Sequence, residues 1–237
     1  MNPQFLAIAK DPAIIPGVYH YCDEWCDYCA LTTRCLEYRC TTEFRRQQRR
    51  SPGDPTFLST EEAIAFTREV AAAEGTRTDG LDALLARPRA LSNPAASHPL
   101  ARMAWEYAIG ASELMMPAWI EILKNCEGLG SSAPGPGPDE IVMWYHLRIY
   151  MKIFRALAAP ASGAGDASGT GEAVGCAKLA LVSVQRSRSA LRLLRSAGNG
   201  AAVDALIARL DALESGLDAH FPEARAFVRV GLDCAVA

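Results

Sequence analysis

The sequence predicts an all-α protein: a bundle of four to five helices behind an irregular, cysteine-rich N-terminal segment that binds metal. Three observations support this. Apolar residues recur at helical spacing through most of the chain, and no strand-like alternation lasts more than a few residues. Five of the eight cysteines also fall within residues 21–40. We expect residues 1–55 to form the cysteine-rich segment and residues 56–237 to form one compact helical unit.

The N-terminal part has weak secondary-structure signals. Residues 1–20 contain Pro3, Pro12 and Pro16 without a sustained period, which predicts a mostly irregular arm. Residues 36–50 are polar and predict either a short helix or a solvated strap. The sequence SPGDP at 51–55 interrupts any regular structure.

Clearer helix signals follow. The first helix begins near Thr60, where Ser59 or Thr60 can cap it, and ends at Gly75. Residues 80–87 predict a short helical piece, and residues 88–98 a proline-punctuated connection. A long helix spans 99–126, with a kink expected at Pro117 because proline removes one backbone hydrogen bond.

The C-terminal half is dominated by helical patterns. Residues 138–157 predict a largely apolar central helix, and residues 159–172 a loop rich in Gly, Ala and Ser. Further helices are expected at 173–196 and from 201 onward. The latter carries an apolar face formed by Val203, Leu206, Ile207, Leu210, Leu213 and Leu217. A short last helix is expected at 221–232.

The cysteine spacing predicts a metal or cluster loop. Cys22, Cys26, Cys29 and Cys35 follow the pattern C-x3-C-x2-C-x5-C, and Cys40 follows five residues later. Four thiolates within fourteen residues can converge on one centre if the backbone coils around it. The single short gap between Cys26 and Cys29 favours a [4Fe–4S] cluster, because zinc ribbons pair two such units across a longer spacer.

The ligand set has one open alternative. Cys22, Cys26, Cys29 and Cys35 are the preferred ligands, since Trp25 and Tyr28 would shield a centre bound in this earlier loop. The reserve is Cys40, which with the last three of these cysteines forms a second quartet. Asp23, Glu24 and Asp27 would add negative charge beside a cluster, and Arg34 and Arg39 would oppose it.

Two resemblances concern this loop alone. The segment CDYCALTTRC, residues 26–35, resembles half of the [4Fe–4S] loop of endonuclease III-type DNA glycosylases. That family's helix-hairpin-helix and its lysine/aspartate site are not visible, so its activity is not implied. Cys22, Cys26 and Cys29 also spell the C-x3-C-x2-C of radical SAM enzymes. Those enzymes need a βα barrel, which the helical pattern excludes.

A wider resemblance covers three stretches. The chain is similar to a family of uncharacterised bacterial helical proteins that share Y-x-Y-C-D-x-W-C-x-x-C-x-x-T-x-R-C, a W-Y-H helix and an A-K-x-A-L helix. The matching residues here are 19–35, 144–157 and 177–181. This resemblance implies a common fold and no known activity.

Three functions are compatible with these residues. The preferred one is an iron–sulfur protein for electron transfer, redox sensing or stabilisation of a nearby site. The alternative is an interaction module with structural zinc and no catalysis. A weaker alternative is a di-metal enzyme in the bundle core using Glu106, Glu113 and His146, although the diagnostic Glu-x-x-His pairs are missing.

Composition narrows the partners and the compartment. A net charge of −3 gives no global reason to bind nucleic acid, and the arginine patch at 34–50 is better explained as a solvated face pairing with its own acids. The partner is unknown from the sequence, and a redox partner or another protein partner is compatible with it. No secretory signal or membrane-length apolar run appears, so a cytoplasmic protein is expected. No motif assigns a nucleophile or a base.

Overall fold

A computed structural model describes residues 3–50, 60–73, 94–124, 135–159, 169–196 and 198–233. These residues contain α-helices and no strand, which confirms the all-α prediction. The helices are α1 (Pro3–Ala9), α2 (Leu36–Arg50), α3 (Thr60–Ala73), α4 (Pro99–Lys124), α5 (Pro138–Ala158), α6 (Gly169–Leu194) and α7 (Gly200–His220). Backbone contacts divide the chain into two units, 1–90 with 228–237 and 91–227.

The first unit has a small apolar cluster. Ile14, Leu36 and Val70 are buried there, from the N-terminal arm, α2 and α3 respectively. The partly buried residues packed against this cluster are Ile8, Ala9, Tyr19 and Cys40. One thiol of the cysteine-rich segment therefore belongs to the apolar packing of this unit.

The described part of the second unit contains four long helices. α5 packs against α4 and α6, and α7 packs against α6 and α4. The buried face of α7 consists of Val203, Leu206, Leu210, Leu213 and Leu217, as the sequence predicts; Ile207 is only half-buried. Buried apolar residues of α5 recur every three or four positions, the spacing of one helix face.

One close approach in the second unit depends on glycine. A Cβ atom added at Gly216 on α7 would collide with the side chain of Leu100 on α4. The absence of a side chain at this position lets the two helices come together.

Two N-terminal predictions are resolved by the structure. Residues 36–50 form a helix rather than a solvated strap. The arm is not irregular throughout, because Pro3–Ala9 is helical. Pro3 occupies the first helical position, where a missing N–H costs no intrahelical hydrogen bond, so the proline does not prevent this helix.

Two C-terminal predictions are wrong. α6 begins at Gly169, so the end of the expected 159–172 loop is helical. Residues 221–233 form turns instead of a short helix. Pro222 lacks an N–H donor, and Gly231 has a φ of 73°, which lies outside the helical region. The two units also divide within this stretch, between residues 227 and 228.

Some predictions lie outside the described residues, namely the helical piece at 80–87, the breaker at 51–55 and most of the loop at 159–172. The kink at Pro117 remains a prediction; α4 is helical on both sides of this proline. Within the described part of the chain, every helix is too short or too polar to cross a membrane.

Candidate metal centre

The cysteine loop is closed at its base by contacts between the N-terminal arm and the end of the loop. The N–H of Ile15 donates to the carbonyl of Arg34 at 3.0 Å, and Nε of Arg34 donates to the carbonyl of Ala13 at 3.2 Å. Arg39 forms an ion pair with Asp11 at 2.6 Å. These contacts hold both ends of the loop together, which lowers the entropy cost of ordering the residues between them.

Two single-turn 3₁₀ helices shape the loop. They span Cys26–Tyr28 and Thr32–Arg34. Each is followed by a cysteine with extended backbone, Cys29 with φ −91° and ψ 122°, and Cys35 with φ −100° and ψ 120°. The chain thus repeats one pattern, a tight turn and then an extended cysteine, at two of the predicted ligands.

Four thiols line one cavity within the first unit. They belong to Cys22, Cys26, Cys29 and Cys35, the preferred ligand set of the sequence analysis. The aromatic and aliphatic walls around them come from Trp25, Tyr38, Val18, Leu31 and Leu232. The cavity measures about 20 Å³, roughly the space of one water molecule.

Backbone N–H groups point at three of these thiols. The N–H of Leu31 donates to Sγ of Cys29 at 3.4 Å. The N–H of Glu24 donates to the sulfur of Cys22, and those of Glu37 and Tyr38 donate to the sulfur of Cys35. In each case a donor lies two residues after the cysteine. Hydrogen bonds of this kind stabilise the charged thiolate form that binds metals.

Local structure explains two of these contacts. Glu24 has a φ of 56°, a left-handed conformation that a non-glycine residue adopts only at a cost, and its N–H points at Cys22. Cys35 directly precedes α2, so its sulfur occupies the N-cap position and accepts from the second and third residues of the helix. The positive end of the α2 dipole favours a thiolate there.

The pKa values of the thiols reflect burial first. Burial raises the pKa of Cys22 to about 11, although the Glu24 N–H opposes this rise. Burial also raises the pKa of Cys35 and of Cys26, and the neighbouring cysteines add to the effect. The thiol of Cys22 donates a hydrogen bond to the carbonyl of Tyr19 at 3.4 Å, as expected for a protonated sulfur.

Cys40, the reserve ligand, has different surroundings. It is not among the residues that line the cavity, and it packs against the Ile14, Leu36 and Val70 cluster instead. Burial and, to a smaller extent, the Glu37 carboxylate together raise its pKa to about 11. The structure therefore groups Cys22, rather than Cys40, with the other three thiols.

The predicted shielding residues occupy different positions. Trp25 is 7% exposed and lines the cavity, whereas Tyr28 is 40% exposed and does not line it. Tyr28 contacts Trp25 edge-on, with ring centroids 5.1 Å apart. Trp25 therefore forms part of the cavity wall, and Tyr28 packs against Trp25 without lining the cavity.

The thiols only partly meet the requirements of a metal group. Among the described residues, no three His, Cys, Asp or Glu side chains are gathered closely enough to hold a metal ion. A single zinc would require the four sulfurs to move together to about 2.3 Å from one point. A [4Fe–4S] cluster binds each thiolate through a different iron, so the sulfurs need only surround a shared cavity, but this cavity would have to widen.

Several residues that line this cavity could not be predicted from the sequence. Val18, Leu31, Thr32 and Tyr38 are near the cysteines in the chain, but ordinary apolar or polar residues carry no ligand signal. Leu232 is about two hundred positions away. Its neighbour Gly231, with a φ of 73°, packs so closely on Ile15 and Val18 that an added Cβ would lie 3.3 Å from each.

The predicted bundle-core site is not assembled. Glu106 and Glu113 are exposed on α4, whereas His146 is buried on α5. Nδ1 of His146 is 2.6 Å from the carbonyl of Met143, to which it donates a hydrogen bond. Burial lowers the pKa of His146, which favours the neutral ring. Within the described residues these three side chains do not form a ligand group.

The arginine patch is partly paired, as the sequence analysis favoured. Arg39 pairs with Asp11, and Arg46 pairs with Glu43. The side chains of Arg49 and Arg50 lie outside the described part. The described patch therefore includes arginines already engaged by the protein's own carboxylates.

Comparison with protein-family models, with curated proteins and with solved structures gives no match to this chain. The resemblances to the glycosylase loop and to the uncharacterised helical family remain predictions.

Proposed function

We propose that the first unit is a metal-binding module in which Cys22, Cys26, Cys29 and Cys35 hold a [4Fe–4S] cluster. The observation that carries this proposal is that the four thiols line one cavity while backbone N–H groups donate to three of them. Hydrogen bonds to ligand sulfurs are one of the means by which proteins tune such clusters. A bound cluster would supply one-electron chemistry for electron transfer, redox sensing or stabilisation of a nearby site.

The residues around the thiols suit this role. Trp25, Val18 and Leu232 form an apolar wall that limits access of water to the sulfurs. The N–H donors from Glu24, Leu31 and Glu37 offset the negative charge that four thiolates would bring together. A redox partner would approach the outer side of this wall.

Structural zinc is the second candidate, and one observation favours it. The cavity of about 20 Å³ suits a single ion better than a cubane. In that case the metal would fix the arm and the cysteine loop without chemistry of its own, and the partner would be another protein. Closure of the thiols around one ion would require a smaller cavity, whereas a cluster would require a larger one.

Metal content distinguishes these candidates. The protein is purified without oxygen, its visible absorption is recorded, and iron, sulfide and zinc are measured per chain. We expect a coloured protein containing iron and sulfide. A colourless protein with one zinc and neither iron nor sulfide would refute the cluster and support the zinc module.

Cysteine substitutions test the ligand set. We expect Cys22→Ala and Cys29→Ala each to lose most of the bound metal, because each removes a thiol that lines the cavity. Cys40→Ala and Cys176→Ala are matched controls: Cys40 packs in the apolar cluster and Cys176 is buried on α6. Full metal retention in Cys22→Ala with loss in Cys40→Ala would assign the second quartet instead.

We further infer that α4, α5, α6 and α7 form the predicted bundle. Support comes from their packing, in which α5 lies against α4 and α6, and α7 lies against α6 and α4. The proposal assigns no reaction to this unit.

A further inference from the structure

A second cavity lies in the second unit, and no described cysteine lines it. It measures about 330 Å³ and opens between the first turns of α4, the middle of α5 and the 3₁₀ turn Pro94–Ser97. This is the lower end of the size range of small-molecule sites. The residues lining it are Ala96, Ala101, Arg102, Trp105, Glu106 and Tyr150.

Two aromatic rings form one wall of this groove. Trp105 is 47% exposed, which is unusual for so large an apolar side chain. Its ring lies 5.2 Å from that of Tyr150 at an angle of 62°, and Tyr150 in turn lies 6.0 Å from Phe154. Among aromatic side chains, the ring of tryptophan attracts a cation most strongly.

Opposite charges flank the tryptophan. Arg102 and Glu106 are both exposed and lie one helical turn apart on α4. Neither side chain forms an ion pair or hydrogen bond with a described residue. Residues four apart on a helix are nevertheless close enough to pair with each other. By contrast, Arg155, Arg188, Arg195 and Arg225 of the same unit are all paired with carboxylates.

From these contacts we propose that the groove binds a small zwitterion. Its ammonium group would lie over Trp105 and Tyr150 beside Glu106, and its phosphate or carboxylate would bind Arg102. The Cβ atoms of these two side chains lie about 6 Å apart across one helical turn, so both charged groups can reach one bound molecule. Phosphocholine carries a quaternary ammonium and a phosphate, and so has the chemistry that these side chains would bind.

This ligand chemistry has two sources, a free small molecule or the headgroup of a lipid. The full-length protein is titrated with phosphocholine by calorimetry, and separately mixed with phosphatidylcholine vesicles in a flotation assay. We expect saturable phosphocholine binding with a Kd of about 1 mM or tighter. Choline and inorganic phosphate, each carrying half of the ligand, should bind at least about tenfold more weakly.

Single substitutions locate the site. Glu106→Gln and Arg102→Gln should each weaken phosphocholine binding about tenfold, and Trp105→Leu at least as much. Glu113→Gln is the matched control, because Glu113 is exposed on the same helix but does not line the groove. Circular dichroism of each variant shows whether the fold is retained; the exposed positions of all three residues make loss of the fold unexpected.

The binding measurements either support the proposed site or overturn it. Binding of phosphocholine, or of vesicles, that is weakened by all three variants and not by Glu113→Gln supports the site and identifies its source. No saturation by phosphocholine up to about 30 mM together with no vesicle binding overturns it. Binding that is unchanged in Arg102→Gln and Glu106→Gln also overturns it, because the charges would then have no role.

Discussion

The two units are stabilised by different means. The second unit buries large side chains such as Tyr145, Ile149, Leu191 and Leu210 completely, contributed by three of its helices. The described part of the first unit buries fewer apolar side chains, with Ile15, Val18 and Trp25 beside the cluster of Ile14, Leu36 and Val70. It adds turns, hydrogen bonds and three ion pairs, Arg39–Asp11, Arg46–Glu43 and Arg229–Asp233. An apolar core can therefore stabilise the second unit, whereas the first needs local constraints and, in our proposal, a metal.

The largest effect is expected from a substitution that creates a void in the apolar core of the second unit. Ile149→Ala should lower the free energy of unfolding by about 2–5 kcal/mol, because Ile149 is fully buried on α5 and its neighbours cannot close the void completely. Metal content should not change. Urea denaturation followed by circular dichroism measures the loss.

Met151→Ala is the matched control for this cavity. Met151 lies on the same helix but is 51% exposed, so its truncation should cost less than about 1 kcal/mol. Equal losses in the two variants would contradict the assignment of the buried face of α5.

In the first unit, a smaller loss of stability is expected from a substitution at a glycine with positive φ. Gly231→Ala should cost about 1–2 kcal/mol, because φ is 73° and the new Cβ would lie 3.3 Å from Ile15 and Val18. Metal retention should fall as well, since the neighbouring Leu232 lines the thiol cavity. Thermal unfolding and metal analysis of the same samples measure both effects.

Gly198→Ala serves as its control, because a Cβ at Gly198 meets no other atom within 4 Å. This variant should keep wild-type stability and metal content. If Gly231→Ala behaved in the same way, the packing of residue 231 on the arm would be wrong.

Relief of backbone strain should produce a small gain in the first unit. Glu24→Gly removes the left-handed penalty and should stabilise the protein by up to about 1 kcal/mol. The N–H that donates to Cys22 is retained, so metal content should not fall. Glu24→Gln, which removes the charge and keeps the strain, separates the two contributions. A loss of stability in Glu24→Gly together with unchanged Glu24→Gln would contradict the strain.

The smallest effect concerns pH and the second unit. Burial and the nearby His220 lower the pKa of His98, and burial lowers that of His146, both from an ordinary 6.5. The unfolded chain therefore binds more protons than the folded one as pH falls below 6.5. The stability contribution is fully present above this pH and is lost as pH falls through the lowered pKa values. Urea midpoints between pH 7.5 and 5 should decrease accordingly.

One substitution isolates the histidine responsible. Nδ1 of His98 accepts the N–H of Leu100 at 3.2 Å and so caps α4, and protonation of that nitrogen would break the cap. His98→Asn keeps an acceptor at the N-cap but cannot titrate. Its urea midpoint should vary less with pH than that of the wild type; an identical pH dependence would exclude His98 as a contributor.

Much of the fold could be predicted from the sequence because helical periodicity is a local signal. The apolar face of α7, the start of α3 at Thr60 and the start of α5 at Pro138 all follow from residues within a few turns. The failures occur where local signals were weak or misleading. Pro3 looked like a helix breaker although it begins α1, and residues 221–233 had helical spacing although the two units divide there.

The candidate site was predictable only in part. The spacing of the cysteines identified the loop, since ligands of one centre must lie within reach of one another. It left Cys22 and Cys40 as alternatives, because both are a few residues from the rest. The cavity contains Cys22, and Cys40 joins the apolar cluster, a difference that depends on where α2 begins and on which of its faces packs inward.

The sequence by itself determined that this protein is helical and that a short N-terminal stretch carries closely spaced thiols. Both properties follow from neighbours along the chain. Only the tertiary structure decided that Leu232 lines the thiol cavity, that Glu24 adopts a left-handed conformation toward Cys22, and that Trp105 meets Tyr150. These features join residues distant in sequence or depend on backbone angles, and no local pattern of residue types encodes such contacts.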